Sequence, residues 1–388
     1  MSKAATLLSA DFYREQLITV IDMVRQGGGN EAETTRVMRA ADLRDNERLA
    51  REKQMFRRQP LIVGHASQIQ KPGDYLVQEL EARSWLIVMG DDHKLRAFYN
   101  YCQHRGTKLV HEQSGCKKRF SCPYHAWTYN TQGALVGVPR ADLFPGMDKT
   151  TKSLKSAANV VSAYGLIWLQ QEGEVIDVGD FLETLAPEFE ALNLDDFHVF
   201  FDKTRDLKAN WKLPIFAFLE SYHIDVLHRE SISEFFVSNI AHTEHHGPHL
   251  RSFVPRKVVT DLEQADFAKV RMADYVTPTN ILFPNVCMIG HPNAYSILTM
   301  WPGDVAGESQ WRHMLLVPKK PQTEKELAHF EKTVKVLDGM TYEGEDYWVS
   351  EQIQAGINAE AIDELILATS EYLIDHFANT IDSYLETA

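Results

Sequence analysis

Four residues in the first half of the chain have the types and spacing of a metal-cluster site. Cys102 and His104 lie on one short stretch; seventeen residues later, Cys122 and His125 lie on another. Zinc also accepts two Cys and two His, but zinc fingers group Cys with Cys and His with His. One thiol and one imidazole per loop suits a Rieske [2Fe–2S] cluster, in which two thiolates hold one iron and two imidazoles hold the other. Neutral imidazole in place of thiolate leaves less negative charge around the cluster and raises its potential to roughly −150 to +300 mV. The flanks, His104-Arg105-Gly106 and Cys122-Pro123-Tyr124-His125-Ala126-Trp127, suit tight loops with aromatic cover. The chemistry expected here is the handling of single electrons.

A second set follows. Glu220-Ser221-Tyr222-His223 precedes His228. Two imidazoles and one carboxylate bind Fe(II) on one face and leave the opposite positions for dioxygen and substrate. His223 and His228 are five residues apart, about 140° around an ideal helix. A helix carrying both must widen into a π-type bulge or end early. The third ligand comes from elsewhere, with Asp225, Glu230, Glu343, Glu345, Asp346 and Glu351 as candidates. Asp346, at the start of its expected helix, is preferred; Asp225 sits between the two His and would point away. A cluster that delivers electrons requires an acceptor, which ties the two sets together.

The elements that would position these residues are of two kinds. Apolar spacing predicts a helix over Ser9–Gln26, closed by Gly27-Gly28-Gly29, and a charged helix over Glu31–Arg58 before Pro60. From Leu61 to Leu169, short β-type runs separated by Gly and Asp turns carry both cluster loops. Helices return at Asp180–Leu192 and Leu213–His228, the latter carrying the second set. Val254–Met300 and His313–Val317 have strand character. Helices are predicted at Thr323–Leu337 and Glu345–Ala355, and one long amphipathic helix at Ala359–Leu385. The fold class expected is α+β. The expected domains are N-terminal helices over 1–58 packing with the catalytic domain, a Rieske domain over 59–170 and a catalytic domain over 171–388. Phe216, Leu219 and Ile224 from the His223 helix, with Leu282, Phe283, Asn285 and Cys287 from a facing strand, are expected to line a mainly apolar substrate pocket.

Bulk composition narrows the function further. The chain has 388 residues, 44% hydrophobic, with a net charge of −14. That charge gives no electrostatic case for nucleic acid or an anionic membrane as partner. Of four Cys, Cys116 and Cys287 remain outside the cluster pattern. No disulfide framework is indicated, and a reducing cytoplasm fits. Met1 to Leu17 lacks a signal-peptide core, and no apolar run is long enough to span a bilayer. His242-Thr243-Glu244-His245-His246-Gly247-Pro248-His249 imitates a metal tract; it reads as a loop near the active-site mouth. His111 and Cys116 lie between the cluster loops at the wrong spacing, and Cys287 reads as a small buried hydrophobe.

Taken together, these motifs resemble the catalytic α subunit of Rieske non-heme iron oxygenases, the ring-hydroxylating oxygenase family, almost end to end. The resemblance includes Asn210-Trp211-Lys212, Glu220-x-x-His223-x-x-x-x-His228, Glu345-Asp346-x-x-x-x-Glu351-x-x-Gln354-x-Gly356 and Ile374-x-His376-Phe377. It implies a helix-grip catalytic domain, Asp346 as the iron carboxylate, and a homotrimer. In the family, an acidic residue three before the first iron His links it to a cluster His of the next subunit. Here that residue is Glu220, where well-known dioxygenases have Asp, and the neighbour's residue would be His125. Glu at this position also occurs in members that oxidise quaternary ammonium compounds. The resemblance further implies a small organic substrate, O2, and a partner NAD(P)H-dependent flavin/iron–sulfur reductase, with or without a ferredoxin. The reactions implied are arene cis-dihydroxylation, alkyl hydroxylation or oxidative N- or O-demethylation. The rivals are a pure electron-transfer Rieske protein, a helix-grip ligand binder with a vestigial metal site, and an arene dioxygenase that requires a β subunit.

Overall fold

The computed structural model describes residues 11–387, which divide into a unit of Phe56–Phe181 and a unit made of the chain up to Met55 and from Leu182 on. In the first unit, three small antiparallel sheets carry the loops of interest. A four-stranded sheet orders Leu95–Tyr99, Arg83–Met89, Asp74–Leu80 and Ser114–Cys116. A three-stranded sheet orders Arg119–Ser121, Thr128–Asn130 and Leu135–Gly137, and the Cys122 loop is the connection between its first two strands. Leu61–His65 pairs with Leu166–Gln170, so the first and last strands of this unit lie side by side. Tyr75, Leu86, Val88, Phe120, Trp127 and Tyr129 fill its core.

The second unit is built on a seven-stranded sheet in which every neighbouring pair is antiparallel. Its order is His198–Leu207, Ser309–Val317, Ala294–Pro302, Val286–His291, Val276–Leu282, His249–Pro255, His242–His246. The strands Val276–Leu282 and Ala294–Pro302 are buried throughout. That is the helix-gripping arrangement, with strands covered by long helices.

Three helical expectations are corrected. Glu31–Arg58 is not one helix: Arg36–Arg39 is a strand paired with Glu364–Leu367, and the helix runs only over Asn46–Arg58. Asp45 sets that start, since its carboxylate accepts the N–H groups of Glu47 and Arg48 at 2.8 and 3.1 Å. Ala359–Leu385 is interrupted by the Glu364–Leu367 strand, and the helix begins at Tyr372. The strand's partner lies more than three hundred residues away, which no local periodicity can reveal. Thr323–Leu337 and Glu345–Ala355 are parts of one rod: α-helix over Glu324–Val334, π-helix over Lys335–Tyr347, α-helix over Trp348–Asn358. The first helix covers Arg14–Gln26 and ends at Gly27 with φ +73; Ser9 and Ala10 lie outside the described residues. Among the described residues, no helix is long and apolar enough to cross a membrane.

Candidate metal centres

The two cluster loops share one backbone pattern. Cys102 donates its N–H to the Thr107 carbonyl while its own carbonyl accepts from Gly106. Cys122 donates to Trp127 and accepts from Ala126 in the same way. Gly106 and Ala126 occupy equivalent left-handed positions, φ +76 and +55. Cys102 and Cys122 are buried. Burial pushes the Cys102 thiol pKa up, and the Cys122 sulfur beside it adds to the shift. The His104 and His125 rings meet edge to face at 4.7 Å, and His104 stacks on Trp127 at 4.8 Å. His125 is exposed and His104 half-buried. Two buried sulfurs and two more exposed imidazoles thus come from the paired loops, the donor set that would hold a Rieske cluster.

The second set sits where a helix breaks. Lys212–Ala217 is helical, the chain turns, and helix resumes over Ile224–Leu227. The early end expected from the His spacing is present; the π distortion is instead in the rod that carries Asp346. Glu220 explains the break. Its carboxylate accepts the backbone N–H groups of Tyr222 and His223, bonds that compete with helix continuation. It also accepts from His223 Nδ1. The turn brings His223 Nε2 and His228 Nε2 to 3.2 Å, and Asp346 Oδ1 lies 3.3 Å from His228 Nε2.

That geometry fits a cation. His223 Nδ1 faces Glu220 and His228 Nδ1 faces Glu345 at 2.7 Å, so each ring carries its proton on Nδ1 and leaves Nε2 bare. Two bare nitrogens then face each other beside Asp346 Oδ1, which is buried with no hydrogen-bond partner. The three donor atoms lie within 4.8 Å of one another. Burial works to lower the His228 pKa, yet Asp346 and Glu345 outweigh it and raise it, so the site attracts positive charge. Two His nitrogens and one carboxylate are the facial donor set of non-haem Fe(II).

Of the remaining third-ligand candidates, Asp225 and Glu230 are exposed, and the other three are otherwise engaged. Glu343 pairs with Arg205 at 2.9 Å, and Glu351 accepts the Lys208 N–H at 3.0 Å. Glu345 holds both His228 Nδ1 and the Ser231 hydroxyl, the latter at 2.5 Å. Its supporting role was not foreseen from sequence, where it figured only as an alternative ligand. The late motif also acts as a brace. Gln354 accepts the Asn210 N–H at 2.8 Å, and with Glu351 it ties the Asp346 rod to the segment leading into His223. Trp211 and Lys212 in turn bond to the buried Glu52 at 2.8 and 2.6 Å.

Beside the three donors opens a cavity of about 510 Å³. Of the expected lining, only Ile224 takes part; Phe216, Leu219, Leu282, Phe283, Asn285 and Cys287 do not. Strand parity explains the strand residues. Thr277, Thr279, Ile289 and His291 present one face to the cavity. Cys287 shares that face one step farther along, fully buried and within the field of Asp346. Leu282 has the opposite parity. Phe283 packs on Tyr384 at 4.6 Å, and Asn285 bonds through its carbonyl to Met300 N–H in the turn. On the helix, Phe216 is buried while its neighbours Ala217 and Phe218 reach the cavity, and Leu219 faces a separate small recess. Val336, Leu337 and Tyr342 of the rod and Phe235, Phe236 and Arg256 complete the wall. A period-two pattern over 277–279 and 289–291 was the one available sequence signal. The His-rich tract is a β-hairpin rather than a loop, and none of its His lines the cavity. His249 Nδ1 accepts the Phe283 N–H at 3.0 Å, and His246 bonds Thr184 at 2.6 Å.

Comparison with known proteins agrees with this construction. Residues 59–152 match the Rieske [2Fe-2S] domain family, and residues 194–387 match the ring hydroxylating alpha subunit (catalytic domain) family. The carnitine monooxygenase oxygenase subunit of Acinetobacter pittii is 30% identical over 49% of this chain and 52% of its own length. The glycine betaine monooxygenase oxygenase subunit of Chromohalobacter salexigens is 26% identical over 80% of this chain and 76% of its own. The naphthalene 1,2-dioxygenase large oxygenase component of Pseudomonas aeruginosa is 33% identical over 48% of this chain and 43% of its own. The matched stretch therefore spans about half the length of the first and third of these. A quaternary ammonium Rieske monooxygenase in complex with L-carnitine superposes with a TM-score of 0.76 at 20% identity, covering 92% of this chain and 96% of that one. Naphthalene 1,2-dioxygenase with indole bound gives 0.71 at 20% identity, over 92% and 93%. Both share the fold: a Rieske domain joined to an α+β helix-grip domain. The chain belongs to the ring-hydroxylating oxygenase alpha-subunit family, whose cofactors, a Rieske [2Fe–2S] cluster and a mononuclear iron, it shares.

Proposed function

We propose that this protein is a terminal oxygenase component that hydroxylates, dihydroxylates or oxidatively demethylates a small organic substrate. Cys102, His104, Cys122 and His125 hold the cluster; His223, His228 and Asp346 hold the iron. The observation that carries the reading is the convergence of two bare imidazole nitrogens and an unpartnered buried carboxylate oxygen on one side of a cavity. When bound, the cluster supplies one-electron transfer and the iron supplies dioxygen activation. The chain's own residues do the rest. Glu220 and Glu345 hold the Nδ1 protons of His223 and His228, which fixes each ring and leaves Nε2 for the metal. Val336, Leu337, Ile224 and Ile289 give the cavity an apolar wall beside the three donors.

The same reading assigns domains at 1–58, 59–170 and 171–388, a cytoplasmic location, and a partner NAD(P)H-dependent reductase. It assigns a head-to-tail homotrimer, supported by the position of Glu220 against His223, in which Glu220 also approaches His125 of a neighbouring subunit. The test combines metal analysis with turnover. An oxygenase contains about three iron atoms per chain and shows substrate-dependent O2 uptake with a surrogate reductase; an electron-transfer protein contains about two. A preparation with a Rieske EPR signal, no third iron and no O2 uptake on any substrate would overturn the proposal.

A further inference from the structure

A half-buried cation in the cavity wall faces no counter-ion among the described residues. Arg256 lines the cavity half-buried, its guanidinium over the rings of Phe235 and Phe236 at 5.8 and 5.4 Å. Among the described residues it makes no salt bridge and no side-chain hydrogen bond. Desolvation depresses its pKa, and the carboxylate it feels is Asp274. Both Asp274 oxygens are already taken by Arg271, at 3.0 and 2.8 Å. A desolvated cation without a counter-ion is costly. A guanidinium is also a rigid fork that matches a carboxylate with two hydrogen bonds.

The other charges of the cavity wall are sorted in the same sense. The only carboxylates among its lining residues are Glu220 and Asp346, both at the metal end. Lys332 and His329 line it from the helix Glu324–Val334 and are exposed. The field of Arg256 reaches His291 on the cavity wall, whose pKa is pushed down to about 3, chiefly by burial and then by the charges of His313 and Arg256. The Phe235 and Phe236 faces already carry the Arg256 cation, so a cationic ligand there would meet like charge.

Sheet register sets the distance. Asp346 is felt at Cys287, which pairs with Ile281, while the Arg256 N–H bonds the Tyr275 carbonyl. From residue 281 to residue 275 is about 20 Å of extended chain. An elongated ligand is what spans such a run of strand.

We propose that Arg256 is a substrate anchor and that the cavity takes an elongated organic carboxylate, its head at Arg256 and its apolar body running to the iron. This rests on the oxygenase reading and names its substrate class. Isothermal titration of the holoenzyme with phenylhexanoate, phenylhexanol and phenylhexyl-trimethylammonium tests it. The carboxylate should bind about tenfold or more tighter than the alcohol, as a charged hydrogen-bonded pair requires. Arg256→Gln should erase that preference and Arg256→Lys should restore part of it. Equal binding of carboxylate and alcohol, tighter binding of the ammonium compound, or an unchanged preference in Arg256→Gln would overturn the anchor. Iron content and O2 uptake on the same sample separate the two readings. Iron-loaded, oxygen-consuming enzyme without a carboxylate preference overturns the anchor alone. A carboxylate preference in protein that never takes up mononuclear iron supports the anchor and overturns the oxygenase reading.

Discussion

Glu345 is the sharpest place to perturb the iron site without touching a proposed ligand. It accepts from His228 Nδ1 at 2.7 Å and from Ser231 Oγ at 2.5 Å, and the His228 side chain is 3% exposed. Removing the acceptor leaves a buried ring N–H unsatisfied, a loss of about 1–3 kcal/mol. It also lets the ring swing and lowers the basicity of Nε2. Changes to such outer carboxylates cost roughly 10–100-fold in metal affinity, which is about 1.4–2.8 kcal/mol and agrees with the hydrogen-bond figure. Glu345→Gln keeps an acceptor oxygen and drops the charge, so about tenfold weaker Fe(II) binding is expected. Glu345→Ala removes both, and about 100-fold is expected. The assay is chelator competition on protein stripped of mononuclear iron, with cluster absorbance as the internal control. Wild-type Fe(II) affinity in Glu345→Ala, or loss of the cluster together with the iron, would refute the reasoning.

Three further outcomes are expected. Asp346→Ala should lose the mononuclear iron and all turnover while keeping the Rieske spectrum, read by metal analysis and EPR. Glu220→Gln should keep the cluster and the assembly, weaken Fe(II) binding about tenfold as at Glu345, and in iron-reloaded protein slow reoxidation of the reduced cluster greatly in single-turnover stopped flow; near wild-type rates would remove Glu220 from the transfer route. Asp338 gives an acid limit. Burial would raise its pKa, but His313 and Arg205 outweigh burial and hold it at about 2, against 3.8 in the unfolded chain. The folded pKa is the lower one, so this stabilisation is present above about pH 4 and fades as pH falls toward 2. It amounts to about 2 kcal/mol, and Asp338→Asn should flatten denaturant-measured stability across that window.

What could be read from the residues alone was what depends on neighbours in sequence. Each cluster loop is closed by bonds within six residues, Cys102 to Thr107 and Cys122 to Trp127, so its composition reports its shape. The five-residue separation of His223 and His228 forbids an undistorted helix for any chain that must bring them together, and a break occurs there. The mechanism of the break, a glutamate drawing two backbone N–H groups onto itself, is local too, though only its geometry reveals it. Asp346 lies 118 residues beyond His228 in the sequence; its position beside that ring is set by a π-helical rod braced through Glu351 and Gln354. The cavity wall was the least legible part. It is chosen by which parity of Val276–Leu282 and Val286–His291 faces inward and by how far along the strands the rod lies. A strand alternates faces at every residue, so one step of register moves a side chain from cavity to core. Composition and spacing therefore determined the cluster loops and the residue types of the iron site. Long-range pairing, which no local pattern encodes, decided the strand at Arg36–Arg39 and the exposure of Arg256 to the cavity, whereas the burial of Cys287 agrees with its apolar sequence neighbours.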